Sequence, residues 1–129
     1  MPVVLATETG DPVPLAMAFL VGPLLMAAGG LIAWIAIRGW RGELPRNRVA
    51  GIRTPTTLGS DEAWDVAHRA AGPWMVLGSL GAIAPGAVLL FRPSNGTATT
   101  TIMIGLAVMV TLVIGGGAVG SFAASHVDD

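Results

Sequence analysis

The chain has 129 residues, of which 53% are hydrophobic and 12% charged, with a formal net charge of −1 at pH 7. Soluble domains carry about 25% charged residues, so this composition excludes an ordinary soluble globule, and the near-zero charge names no partner. Cysteine is absent, which excludes disulfides, thiolate catalysis and cysteine-ligated metals.

Three runs have no ionisable side chain: residues 13–37, 72–91 and 101–125. Each exceeds the ~18 residues that mark a helix crossing a ~30 Å hydrocarbon core. What remains is mostly connector. The expected architecture is therefore all-α, one membrane domain over residues 1–129 with three transmembrane helices and a short amphipathic helix in a cytoplasmic loop.

The start, MPVVLATETGDPVP, has no Lys or Arg before the first apolar run. A signal peptide needs a positive n-region, so this run is expected to be a retained span, about residues 15–37. Pro23 lies inside it and, lacking an N–H, predicts a kink. Residues 38–72 then form the only long polar segment and hold ten of the fifteen charged residues. Pro45, Gly51, Pro55 and Gly59 make residues 42–60 irregular. Ser60 is the expected N-cap of a helix over 61–71, with Asp61 and Glu62 in the first turn where the helix dipole favours negative charge. Trp64, Ala67, His68 and Ala71 share one face of it, Glu62, Asp65 and Arg69 the other, with Asp65 and Arg69 spaced as an i, i+4 pair. The helix is expected to lie along the membrane surface, anchored by Trp64, and to stop at Gly72-Pro73.

Pro73 suits the first position of span two, about residues 73–91, which holds Pro85 near its far end. Arg92, Pro93, Ser94, Asn95 and Gly96 make a tight turn before span three, about residues 101–123. Gly78, Ala82 and Gly86 on span two, and Gly116, Gly120 and Ala124 on span three, recur every fourth residue. Such small-residue ridges let helices approach closely, within one three-helix bundle or, alternatively, in a homo-oligomer.

Orientation follows from arginine. Six of the seven basic residues (Arg38, Arg41, Arg46, Arg48, Arg53, Arg69) lie between spans one and two, and only Arg92 between spans two and three. The positive-inside rule places the long loop and the C-terminal Asp128 and Asp129 in the cytoplasm, and the N-terminal tail with Glu8 and Asp11 outside. Trp34, Trp40, Trp64 and Trp74 cluster near that loop as an aromatic belt.

No span contains Asp, Glu, Lys, Arg or His. Transporters and proton relays use such groups despite a cost of ~2.5–3.5 kcal/mol or more, so neither is expected. His68 and His126 are the only nitrogen ligands, too few for a metal site, and no cofactor is expected. His68 reads as a packing residue beside Trp64. The carboxylates Asp61, Glu62 and Asp65 read as helix-dipole partners rather than an acid–base pair, and the chain is expected not to be an enzyme. Most of the arginines read as topology signals and contacts to membrane lipids; direct nucleic-acid binding is opposed by the loop carboxylates. Arg53, between Gly51 and Pro55, stands apart. Its expected role is a bidentate clamp onto Asp61, Glu62 or Asp65, which folds the loop onto its helix.

The pattern Asn47-x3-Gly51-x-Arg53-Thr54-Pro55, then Ser60-x-Glu62-Ala63-Trp64-x2-Ala67-His68-Arg69-x2-Gly72, resembles the signature of the SdpI family of bacterial integral membrane proteins. It covers the central ~26 residues by motif and the following two spans by layout. His68 departs from it, standing where the family pattern has Asn. The resemblance implies a small helical protein of the bacterial cytoplasmic membrane that binds or neutralises a peptide toxin, or recruits a cytoplasmic regulator. It also implies that the partner-binding candidates are the motif residues Asn47, Gly51, Arg53, Thr54, Pro55, Glu62, Trp64, His68 and Arg69. A structural or accessory subunit of a membrane complex is the alternative function.

Overall fold

The computed structural model describes residues 10–127. Glu8, Asp128 and Asp129, which enter the orientation argument, lie outside the described residues. Within them are three long helices and no strand. Helix α1 spans Gly22–Trp40 and continues from a π-helical turn, Met17–Val21. Helix α2 spans Asp61–Leu89 and α3 spans Asn95–Ala124, and a single 3₁₀ turn, Thr57–Gly59, interrupts the loop before α2. All three are long and apolar enough to cross a membrane, and they expose large side chains such as Leu20, Leu24, Leu31, Ile104 and Ile114. The protein is a multi-pass membrane protein.

The three prolines inside the spans act differently. Pro23 cannot donate to the Phe19 carbonyl, and the expected kink takes the form of the π turn just before it. Pro73 does not start a helix. The amphipathic stretch expected to end at Gly72-Pro73 runs straight on into span two as one helix of 29 residues. Packing overrides the local signal: Gly72 is buried against Trp40 of α1, and the neighbouring Ala71 carbonyl lies against Gly116 of α3. Pro85 likewise deprives the Gly81 carbonyl of its helical donor, and that carbonyl rests against Gly105 of α3.

Helix α2 is the centre of the fold, with α1 and α3 packed on two of its faces and touching each other little. Ala67, Ala71, Trp74, Gly78, Gly81 and Pro85 meet α3. His68, Gly72, Ser79, Ile83 and Gly86 meet α1. Alternating steps of four and three residues keep the α3 seam facing its partner, as in a coiled coil. Small residues occupy the tightest points, because with lipid as solvent the helices are held by close van der Waals contact. The ridge on α3 serves one seam throughout, Gly116, Gly120 and Ala124 all packing on α2. The ridge on α2 divides: Gly78 faces Leu112 and Val113 of α3, whereas Gly86 faces Gly22 and Met26 of α1. Successive i, i+4 positions turn ~40° around a helix, so two steps carry the row from one neighbour to the other.

The end of the bundle away from the loop is closed by main chain. Asp11 and Val13 hydrogen-bond across to Asn95 and Pro93, and Arg92 donates from Nε to the Val13 carbonyl at 2.9 Å. Val13, Ala18, Leu89 and Ala98 form a buried cluster beneath. Ser94 caps α3 by accepting from the Thr97 amide, which starts that helix six residues before the expected position.

Candidate functional site

The loop between α1 and α2 is fastened to α2 at both ends. Helix α1 stops in a Schellman turn: the Gly42 amide donates to Gly39 and the Glu43 amide to Arg38, at 3.1 and 2.8 Å. Gly42 has φ +73°, which only glycine adopts cheaply, and Arg69 of α2 presses against it. The turn sends the chain across the start of α2, where Leu44 is buried and its carbonyl accepts from the Trp64 indole N–H at 2.7 Å. Asn47 then folds residues 47–50, its Oδ1 accepting from the amides of Val49 and Ala50.

Gly51, with φ +113°, returns the chain onto the rings of Trp64 and His68. A Cβ at Gly51 would stand 2.6 Å from His68 Nε2 and 3.0 Å from the Trp64 ring, so both the backbone angle and the space require glycine. The next amide, Ile52 N–H, donates to His68 Nε2 at 2.9 Å. That nitrogen is therefore unprotonated, the ring proton is on Nδ1, and Nδ1 donates to the Trp64 carbonyl at 2.7 Å. His68 is a neutral imidazole with both nitrogens engaged. It lies in the part of α2 that precedes the apolar run, and burial pushes its pKa below the ordinary 6.5, outweighing the Trp64 carbonyl and the nearby Asp65, which raise it. The Trp64 and His68 rings pack with centroids 4.3 Å apart, tilted by 34°.

Beyond Ile52 the chain is closed by threonines. Thr57 Oγ1 donates to the Ile52 carbonyl at 2.7 Å and accepts from the Thr54 amide, while Thr54 Oγ1 accepts from the Thr57 amide. Ser60 then caps α2 as expected, accepting from the Ala63 amide at 3.0 Å.

The motif residues divide accordingly. Asn47, Gly51, Thr54, Trp64 and His68 come together as the scaffold of the loop. Arg53 and Pro55 of the loop, and Glu62 and Arg69 of α2, are exposed. Three expectations change. Trp64 is only 1% exposed, so it anchors the loop and not the membrane surface. The clamp onto the helix start is made by Arg46, from Nε to Asp61 Oδ1 at 3.2 Å and from Nη1 to the Leu58 carbonyl. Arg53 makes no ion pair among the described residues: Ile52 points inward, so the next side chain along an extended stretch points out. Arg69 turns to Gly42 and leaves Asp65 without the expected pair. Sequence reasoning passed over Leu44, Arg46, Ile52 and Thr57. Thr57 could have been found from its spacing to Thr54; Leu44 could not, because it acts through its carbonyl.

The family model of the SdpI/YfhL protein family matches residues 43–120, more than half of the chain. The match begins at the loop, just after the Schellman turn, and takes in α2 and most of α3. Neither a curated protein nor a solved structure matches the chain. On the family match, this chain is a member of the SdpI/YfhL protein family.

Proposed function

We propose that the chain is a non-enzymatic binding and signalling module in peptide-toxin immunity, lying in the bacterial cytoplasmic membrane with its motif loop on the cytoplasmic side. The observation that carries this reading is the division of the signature. Its inner residues are consumed in holding one loop conformation, and Arg53 and Pro55 are left exposed on that loop, beside Glu62 in the first turn of α2. An exposed guanidinium with no ion pair among the described residues, two positions from a proline, fits a partner-binding surface, where planar bidentate pairing gives specificity. The arginines around the loop support the cytoplasmic placement through the positive-inside rule. The engagement of both His68 nitrogens with backbone groups supports a non-catalytic role, since it leaves no ring atom for proton transfer.

The test is survival of cells that express the full chain and are challenged with secreted toxic peptides. Protection by the wild type, lost in Arg53→Ala at unchanged membrane abundance and kept in Arg41→Lys, is the expected result. Equal protection by Arg53→Ala would remove the partner site. Absence of protection together with stoichiometric co-purification in a membrane complex would point to the accessory-subunit role instead.

A further inference from the structure

Beside the loop scaffold lies an open cleft of about 670 Å³, lined by Arg38 at the end of α1, by Glu43, Leu44 and Arg46 of the loop, and by Trp64 and Asp65 of α2. Its charges are incompletely matched. Arg46 is paired with Asp61. Arg38 gives one terminal nitrogen, Nη2, to the Glu43 carbonyl at 2.8 Å, but its Nε is buried and has no hydrogen-bond partner among the described residues. A buried guanidinium N–H without an acceptor is costly, so this guanidinium gains from turning toward an anionic or carbonyl oxygen in the cleft. The carboxylates of Glu43 and Asp65 on the same walls take part in no ion pair among the described residues. Glu43 is exposed and Asp65 half-buried, so both can be reached by a cation with N–H donors. The cleft therefore presents one acceptor-seeking group and two donor-seeking groups on its walls.

The position of the cleft narrows the ligand. The Arg38 guanidinium sits over the Trp34 ring, 5.1 Å from its centroid, and Trp34 is 55% exposed on the outer face of α1. An exposed tryptophan topped by an arginine at the end of a spanning helix marks the headgroup layer. Below it, Leu31 and Leu24 continue the exposed apolar face along which an acyl chain can lie. We propose that the cleft is a binding site for the headgroup of a zwitterionic aminophospholipid, the phosphate taken by Arg38 and the primary ammonium by Asp65 and Glu43. A quaternary ammonium lacks the N–H donors that the carboxylates need, and an anionic headgroup without an amine leaves them facing a like charge.

The experiment uses the full chain in nanodiscs that hold phosphatidylethanolamine, phosphatidylcholine or phosphatidylglycerol, with lipid retained after detergent extraction read by native mass spectrometry. The wild type retains phosphatidylethanolamine over phosphatidylcholine by about tenfold, the scale of one charge-assisted hydrogen bond, and Asp65→Asn abolishes the preference. Thermal melting and tryptophan fluorescence verify that the variant is folded; should it not fold, the comparison of lipids on the wild type decides alone. Soluble phosphoethanolamine added in excess competes if the headgroup is what is recognised. Equal retention of all three lipids, stronger retention of phosphatidylglycerol, an unchanged preference in Asp65→Asn, or occupation of the cleft by a lysine-bearing peptide without lipid preference would each overturn the proposal.

Discussion

The spans and the loop are held by opposite means. Along the spans, α2 meets its neighbours at points where a side chain has been removed: Gly29 against Ser79 and Ile83, Gly81 against Gly105, Gly120 against Ala67. In the loop, the fixed points are directional hydrogen bonds on two large rings, Trp64 donating to the Leu44 carbonyl and His68 accepting from the Ile52 amide, with Thr57 closing the turn. Lipid offers the spans no hydrophobic reward for association, so shape alone selects their register. The loop lies at the polar end, where backbone groups taken from water must find partners. A steric seam tolerates polar change but not bulk; a hydrogen-bonded loop tolerates neither loss of a ring nor loss of a ring proton.

The largest expected effect breaks the steric half. A Cβ at Gly105 would run into the Gly81 carbonyl and the Pro85 ring, neither of which can move without parting two helix backbones. Gly105→Ala should destabilise the bundle by at least the ~1–3 kcal/mol typical of overpacked cores, read as thermal melting in detergent. A Cβ at Gly115 would meet nothing within 4 Å, so Gly115→Ala should not destabilise the bundle and, by removing a glycine from a helix interior, should leave the melt unchanged or raise stability by up to ~1 kcal/mol. Equal effects at the two positions would mean that the seams are not the source of stability.

A smaller effect isolates the polar half. Trp64→Phe keeps an aromatic ring in the pocket but removes the indole N–H, leaving the buried Leu44 carbonyl without its donor. The cost should be about 1–3 kcal/mol and fall on the loop, read as faster proteolysis within residues 43–59, with the spans unchanged. Loss of span packing in this variant would show that loop and bundle are one cooperative unit.

Much of this was legible in the sequence, and the failures share one cause. Three spans, the Ser60 cap and the packing of Gly116, Gly120 and Ala124 follow from local rules of length, capping and side-chain size. The break expected at Gly72-Pro73 follows from a local rule too, and it fails because α1 and α3 hold the helix from both sides. Trp64 and Arg53 fail for a related reason. Whether an amphipathic helix faces lipid or its own loop depends on where the loop goes, and that is set by the positive φ at Gly42 and Gly51. Arg46 took the place expected of Arg53 because the Schellman turn lays residues 43–47 across the start of α2. Leu44 left no trace at all, since its role is played by a carbonyl that every residue has.

The signature loop is locked to α2 through a neutral His68. Protonated imidazole has no acceptor, so acid must release the Ile52 amide. Because burial holds the docked pKa below the ordinary 6.5, docking is fully stable above that value and weakens as pH falls below 6.5 through the docked-state pKa. Hydrogen exchange at the Ile52 amide, corrected for intrinsic rates, reads this directly. Strong protection is expected near neutral pH, declining through mildly acidic pH while the amides of α2 stay protected. An Ile52 amide that exchanges freely at neutral pH, or whose protection does not change with pH, would contradict it.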